Sequence, residues 1–250
     1  MATPRPPEYL HVAYLPQSGG WVLPIIREVQ NARSAPLRTL ASSWGESDLS
    51  ELGLAVTTKL AILPYVIQSV DNQIAKLGEE AAAVGTLQEH IDRGAGFMPR
   101  DRDLPYKLLG SLDAFIYECR STYEIVGKFL RRFSEAFLAN PLTEQQVASV
   151  LRDAGIDDRW IPDLADQRKL FFHNTAPWLA LAITGRSPFR AELLVLRRNV
   201  KDLTDTEHVI PFERLRAIYA GLDPSLARLQ EWAILKIRER DAELASGASA

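Results

Sequence analysis

The sequence predicts a mainly α-helical protein, a helical bundle built on a long antiparallel helix hairpin and followed by a small β-hairpin. Two long stretches, near residues 47–84 and 106–139, carry apolar residues at alternating steps of three and four, the spacing of one face of an α-helix. A loop rich in glycine, proline and charge separates them. Farther along, two short apolar runs flank a turn-like segment, which indicates two paired strands.

The length and composition are those of a folded protein with a real core, in one large domain or two small ones. The chain has 250 residues, of which 46% are hydrophobic and 24% are charged. Its one cysteine, Cys119, excludes an internal disulfide and lies in an apolar stripe, as a core thiol in a reducing compartment does. No apolar run of about 18 residues predicts a membrane span, and the N-terminus lacks a signal-peptide core. We expect a soluble cytoplasmic protein.

The first 46 residues are expected to form an arm and short helices. Residues 1–20 hold too many prolines for a helix and end at two glycines. Residues 21–44 alternate short apolar runs with prolines, which favours one or two short helices capping a larger unit.

The larger unit, a helical bundle over residues 47–177, begins with a long helix. Asp48 followed by Glu51 provides an N-terminal cap, and Pro64 is expected to kink the helix. The narrow apolar stripe of this helix, called the first seam, consists of Val56, Leu60, Leu63, Ile67, Val70, Ile74, Leu77, Ala81 and Val84.

A second long helix is predicted from Tyr106 to Ala139, after a loop over residues 93–105. Matching stripes on two helices joined by a short loop most simply pack against each other as an antiparallel hairpin. Self-association into a dimer is the other use of such stripes. The stripe of this helix, called the second seam, consists of Leu109, Leu112, Ile116, Cys119, Tyr123, Val126, Leu130, Phe133 and Phe137.

Two shorter helices follow. Thr143 and Glu144 open one that Gly155 closes, and Ile161-Pro162 opens the other, with proline in the first turn where its missing N–H costs least. Pro177 disfavours helical geometry in the residue before it, so this last helix should end near His173.

Residues 178–244 are predicted to form the β-hairpin and C-terminal helices that pack on the bundle, so that the chain is one domain overall. WLALAIT (178–184) and AELLVLR (191–197) are the predicted strands, and a helical interpretation of either run is the alternative. Helices are expected from Pro211 to Tyr219 and from Asp223-Pro224 to about Leu244. The tail, residues 245–250, should be disordered.

The segment DQRKLFFHNTAPWLA, residues 166–180, is the best candidate for a chemical site. Arg168 precedes His173 by four intervening residues, beside a cluster of aromatic residues. Arginine offers a permanently charged fork that matches two phosphate oxygens, and histidine exchanges protons near neutral pH. The pair therefore suits phosphate chemistry. A structural role is the alternative: His173 would cap the helix C-terminus, and Arg168 would pair with Asp166 or Asp163.

An arginine followed by a histidine late in an all-helical domain resembles the HEPN superfamily. The resemblance covers the motif and, loosely, the helical region from about residue 47 to 177. It implies a metal-independent ribonuclease with Arg168 and His173 as catalytic residues and a cleft at a dimer interface. A small polar residue often follows the arginine in that family, whereas this chain has Lys169. Lys169 and Asn174 are supporting candidates.

Helix geometry places a condition on the motif. Five residues along a regular helix turn through about 140°, so Arg168 and His173 lie on different sides of it. Either the helix is distorted near Pro177, or two copies of the segment meet across a twofold axis.

Asp113 and Tyr117 are further supporting candidates. With Arg120 and Glu124 they form a polar line on the second long helix beside the second seam. Such a line could orient the motif residues by hydrogen bonds. The alternative is a row of intrahelical pairs, Asp113 with Tyr117 and Arg120 with Glu124.

A net charge of -3 argues against indiscriminate nucleic-acid binding, so contact with RNA would need a local basic patch. Solvated faces are the alternative explanation for each basic cluster. A second cluster comprises Lys128, Arg131 and Arg132. The predicted RNA-binding patch comprises Arg186, Arg190, Arg197, Arg198 and Lys201.

The resemblance implies a metal-independent endoribonuclease of HEPN type in a bacterial toxin, antiphage-defence or stress setting. Its expected partners are RNA, a second copy of the chain, and an antitoxin or another defence-system protein. We expect no cofactor and no metal, since the four histidines show no metal-ligand spacing. A non-catalytic helical module that binds a protein or RNA is the alternative.

Overall fold

A computed structural model describes residues 20–46, 48–85, 87–92, 96–138, 142–173, 177–186, 188–197 and 208–247. It confirms the mainly α-helical architecture, with a packed pair of long helices and a small antiparallel sheet. The helices are α1 (Val22–Gln30), α2 (Ala35–Ser42), α3 (Asp48–Ala82), α4 (Leu87–Asp92), α5 (Leu104–Phe137), α6 (Glu144–Asp153), α7 (Trp160–His173) and α8 (Phe212–Gly247). The strands are β1 (Trp178–Arg186), β2 (Phe189–Leu196) and β3 (Val209–Pro211).

The long helices α3 and α5 form the predicted antiparallel hairpin. The Lys59 ammonium lies 2.8 Å from the Glu118 carboxylate, and the Lys76 ammonium lies 2.7 Å from that of Asp101. Positions later in α3 therefore contact positions earlier in α5. The two seams pack within one chain, and this uses the apolar surface that self-association would have needed.

The face that α5 buries is wider than the second seam. Phe129, which lies outside the seam, is fully buried, and its ring is parallel to that of the seam residue Phe133 at 6.3 Å. Trp21 meets Phe129 edge to face at 5.6 Å. Trp44 packs on Phe137 at 5.5 Å. These aromatic contacts attach the short N-terminal helices to the hairpin, in the capping role expected for them.

By length and composition alone, α3 is apolar enough to cross a membrane, with an 18-residue window of mean hydropathy 1.3. The core helix of a soluble protein passes the same test. Pro64 lies inside α3 and is exposed, and the helix continues through it.

The two short helices begin and end where the sequence places them. The Thr143 hydroxyl accepts from the Gln146 N–H, and the Gln146 side chain accepts from the Thr143 N–H, which completes a capping box. Gly155, at φ 71°, donates to the Arg152 carbonyl, and Ile156 donates to that of Leu151. This pair of bonds is the Schellman closure of α6.

The C-terminal region is one helix, not the two that the sequence predicted. α8 passes through Asp223-Pro224 without a break and continues to Gly247, into the tail that was expected to be disordered. Tertiary packing explains the continuity: the Ser225 hydroxyl donates to the Gly221 carbonyl (2.7 Å) and accepts from the Trp160 indole (3.1 Å). These contacts hold the turn around Pro224 in place.

The predicted β-hairpin is confirmed, with Trp178 opposite Leu196 and Arg186 opposite Phe189. The sequence prediction missed β3, which pairs antiparallel with β2. It is only three residues long and ends at Pro211, so no alternating pattern marks it. One face of the sheet, with Val195 and Ile210, joins the main core.

Candidate active site

The motif lies on α7, whose first turn is fixed to the bundle. Trp160 is buried, its ring meets Tyr123 of α5 edge to face at 5.3 Å, and its indole N–H donates to Ser225 of α8. Pro162 occupies the first turn, as predicted. A helix anchored in this way holds its far end at a defined place on the bundle.

The backbone of α7 is α-helical through both Arg168 and His173, and the helix ends at His173. The two positions are therefore separated by about 140° around the helix axis. This confirms the predicted end of the helix. The helix is also continuous through the motif, without the distortion near Pro177 that was the other possibility.

Contacts with α8 give the direction of α7. Asp163 in its first turn forms an ion pair with Arg214, whereas Trp160 lies against Ser225, farther along α8. The two helices are thus antiparallel. The motif end of α7 extends toward the end of the bundle where α8 begins.

The same end of the bundle contains the N-terminal half of α5. Arg216 of α8 forms an ion pair with Asp71 of α3, and the nearby Gln73 side chain donates to the Ser111 hydroxyl of α5 (2.9 Å). Asp113 follows Ser111 by two residues. The polar line on α5, which begins at Asp113, therefore starts at the same end of the bundle as the C-terminal end of α7.

The Asp113 carboxylate is in an environment that destabilises its charged form. Its Oδ1 atom is buried and has no hydrogen-bond partner among the described residues. Burial raises the pKa of this carboxyl above its ordinary value. A carboxylate in this state would gain stability from a nearby donor or cation.

The other residues of the polar line make separate contacts. Arg120 donates to Glu124 at 2.7 Å, which is the intrahelical pair proposed as the alternative. Tyr117 is 50% exposed, and the Lys59 ammonium lies 5.3 Å from its ring centre, a cation–π arrangement.

Gln167, directly before Arg168, is a polar residue that the sequence analysis missed. Its side chain is fully buried, and neither amide atom has a hydrogen-bond partner among the described residues. A buried amide without partners is costly and is an exception in folded proteins. The sequence did carry a signal, because Gln167 continues the buried stripe of Trp160 and Leu164 at helical spacing.

Several predicted site residues lie outside what the structure describes. The side chains of Arg168, Lys169, His173 and Arg186 belong to this group, as do the residues Asn174, Arg198 and Lys201. Their predicted roles remain predictions.

The described members of the basic clusters have separate environments. Arg190 is exposed on β2, and Arg197 is half-buried just after it, with its Nε atom buried and without a partner in the described part of the chain. Arg132 pairs with Glu135 at 2.9 Å. Lys128 and Arg131 line a cleft between α5 and α6.

Across the described residues, no group of three or more histidine, cysteine, aspartate or glutamate side chains is placed to hold a metal ion. Comparisons of the chain with protein-family models, with curated proteins and with solved structures found no match.

Proposed function

We propose that the protein is a metal-independent endoribonuclease of HEPN type, with His173 as the acid and base and Arg168 as the group that stabilises phosphoryl charge. The setting we propose is bacterial toxin activity, phage defence or stress, with an antitoxin or defence protein as a further partner. The observation that carries this proposal is the position of the R-x4-H motif at the C-terminal end of α7, on a long helical hairpin.

The proposed reaction needs no group other than these side chains. A neutral imidazole takes the proton from a ribose 2′-hydroxyl, and the oxygen attacks the adjacent phosphorus. The guanidinium stabilises the charge on the phosphoryl oxygens. An imidazolium then protonates the departing 5′-oxygen, which leaves a 2′,3′-cyclic phosphate and a free 5′-hydroxyl.

At each phosphate one histidine serves both roles, because the proton that it takes from the 2′-hydroxyl as base is the one that it returns to the 5′-oxygen as acid. The separation of about 140° between Arg168 and His173 on one helix favours a site to which two copies of α7 contribute. We therefore propose a homodimer in which Arg168 of one protomer and His173 of its partner act on the same phosphate.

Cleavage of RNA in EDTA tests the activity. The wild-type protein should cleave single-stranded RNA, and the His173→Ala and Arg168→Ala variants should each lose at least about 100-fold in rate, as expected for loss of an acid–base or charge-stabilising group. His208→Ala and Arg27→Ala are the matched controls, because they remove the same residue types outside the predicted site and the predicted RNA-binding patch. Cleavage that survives His173→Ala would overturn the assignment.

Mixing the two inactive variants tests the composite site. In a 1:1 mixture, half of the dimers are mixed, and one of the two sites in each mixed dimer has both residues intact. About a quarter of the wild-type activity should therefore return. If both residues come from the same protomer, no activity returns.

A non-catalytic module that binds protein or RNA is the second candidate. The observation in its favour is exposed apolar and aromatic surface on the long helices: Leu54 and Tyr65 of α3 are 54% and 73% exposed, and Tyr106 of α5 is 75% exposed. This candidate predicts RNA or protein binding that is unchanged by His173→Ala, without cleavage under any condition.

A further inference from the structure

A cleft between α5 and α6 combines charge with apolar surface, at the opposite end of α7 from His173. It has a volume of about 320 Å³, at the lower end of the range for small-molecule sites. Tyr123, Glu124, Gly127, Lys128, Arg131 and Val147 line it.

The positive charge of this cleft is not neutralised within the described part of the chain. Lys128 and Arg131 are exposed, three residues apart on one face of α5, and neither has an ion pair there. Other cations of the same helix are paired: Arg120 with Glu124 and Arg132 with Glu135. The one acid that lines the cleft, Glu124, is thus already bonded to a cation, and the site favours an anion.

The walls of the cleft suit a flat apolar group. Tyr123 is half-buried, and its edge-to-face contact with Trp160 fixes the ring. Val147 of α6 is buried opposite. A Cβ atom added at Gly127 would meet nothing within 4 Å, so the absence of a side chain there leaves the cleft open.

We propose that this cleft binds a phosphorylated nucleoside unit, with the phosphate at Lys128 and Arg131 and the base against Tyr123 and Val147. A cationic groove beside an aromatic ring is how proteins hold single-stranded nucleic acid without reading its sequence. The unit is either a free nucleotide or one residue of an RNA strand. In the second case the inference rests on the proposed ribonuclease function and adds a substrate subsite to it.

The geometry of α7 sets the length of RNA that would use both sites. Trp160, which contacts Tyr123 of the cleft, and His173 are the two ends of α7, and 13 helical steps of 1.5 Å separate them by about 20 Å. A stacked strand rises about 3.4 Å per nucleotide, so about six nucleotides span that distance. RNA much shorter than this would occupy only one of the two sites.

Calorimetric titration tests the cleft directly. Protein carrying His173→Ala, which prevents cleavage during the measurement, is titrated with 5′-AMP, adenosine, inorganic phosphate and a ten-nucleotide single-stranded RNA. The double change Lys128→Gln with Arg131→Gln should weaken binding of the nucleotide or RNA at least about 10-fold. The double change Lys236→Gln with Arg240→Gln, which removes two cations from α8, is the matched control and should change it less than about 2-fold.

A second pair of variants, which leaves the charge unchanged, distinguishes binding in the cleft from non-specific electrostatic binding. Gly127→Leu places a side chain in the cleft and should abolish binding, whereas Gly110→Leu, on the same helix with equal open space, should leave it intact. Circular dichroism and thermal unfolding of both variants are the check that each one folds.

The outcomes distinguish a free nucleotide from an RNA strand as the ligand, and they test the cleft separately from the ribonuclease function. Binding of 5′-AMP as tight as that of the RNA identifies a free nucleotide as the ligand, and tighter binding of RNA identifies a strand. Cleft-dependent binding without any His173-dependent cleavage supports the cleft and overturns the ribonuclease. Equal binding of inorganic phosphate and 5′-AMP, or binding that the Gly127 and Lys128/Arg131 variants leave unchanged, overturns the cleft.

Discussion

Burial determines the chemistry of Cys119. The side chain is fully buried on α5, and burial, with the neighbouring Glu118 charge, raises the pKa of the thiol to about 12. At pH 8 the folded protein should therefore react with a thiol reagent only as fast as it unfolds. Colour development with an aromatic disulfide measures this, and guanidinium chloride should expose one equivalent per chain. Rapid stoichiometric labelling of the native protein would contradict this prediction.

Asp101 links the ends of the long hairpin through charge. Hydrogen bonds donated by Lys76, which has the larger effect, and by Lys107 lower the pKa of its carboxyl to about 2. A lowered pKa in the folded state gives stability that is present above the unfolded value, about 3.9, and is lost as the pH falls through about 2. Asp101→Asn should thus melt below wild type at pH 7, and the gap should close between about pH 4 and pH 2.

Thermal melts of both proteins across that pH range measure the gap. The two lysines are exposed and Asp101 is partly exposed, so salt should also reduce the gap. Glu135→Gln, which removes the partner of Arg132 on the outer face of α5, is a control for general charge effects. A melting-temperature gap that persists below pH 2 would show that Asp101 acts through packing.

At the residue scale, the sequence predicts which side chains are buried better than it predicts their hydrogen-bond partners. The core placement of Cys119 followed from its place in the second seam, and burial confirms it. Among the described residues neither Gln167 nor the Asp113 Oδ1 atom has a hydrogen-bond partner, and the sequence could not predict this, because it depends on which neighbours approach from other helices. Whether a polar side chain is satisfied is a tertiary property.

Close packing of α7 on α8 depends on a glycine. A Cβ atom on Gly221 would lie 2.6 Å from the Trp160 Cγ atom, well inside contact distance. Gly221→Ala should therefore destabilise the protein by about 1–3 kcal/mol, although alanine favours helices. Gly110→Ala, in an exposed stretch of α5, should instead stabilise it by up to about 1 kcal/mol.

Urea unfolding of these two variants gives both free energies. Opposite signs for two identical substitutions in helices would isolate the contact with Trp160. A stabilising Gly221→Ala would mean that α7 can move away from α8 without loss.

At the element scale, the helices with long repeats, specific caps or a proline in the first turn were predictable, whereas α4 and the continuity of α8 were not. The two seams predicted α3 and α5, because a repeat of that length is typical only of a helix. The capping box at Thr143 and the glycine at position 155 predicted the ends of α6, because each of these signals lies within a few residues. The Asp223-Pro224 pair predicted a break because local rules disfavour proline inside a helix. Contacts of Ser225 and Gly221 with Trp160 override that rule, and they come from a helix about 60 residues earlier.

For the whole molecule, Asp241 ties the two ends of the described chain together. Its carboxylate accepts hydrogen bonds from the backbone N–H groups of Arg33 (2.9 Å) and Ser34 (2.8 Å), where α2 begins. Asp241→Ala should release the start of α2 and lower the melting temperature. Glu243→Ala, which removes only the exposed partner of Arg240, should have a smaller effect.

Amide hydrogen exchange locates the effect of Asp241→Ala. The amides of Arg33 and Ser34 should lose protection first, with α1 and α2 following before the long hairpin. Uniform loss of protection across the molecule would show that this contact supports the entire fold.

The closure of α1 on α8 has a consequence for the order of folding during synthesis. The Trp21 indole donates to the Leu226 carbonyl (2.7 Å), across 205 residues. Ribosomes add about 5–20 residues per second, so about 10–40 s pass between the synthesis of these two residues. During that time the apolar face of α1 lacks its final partner. Native protein should accumulate only after α8 has left the ribosome.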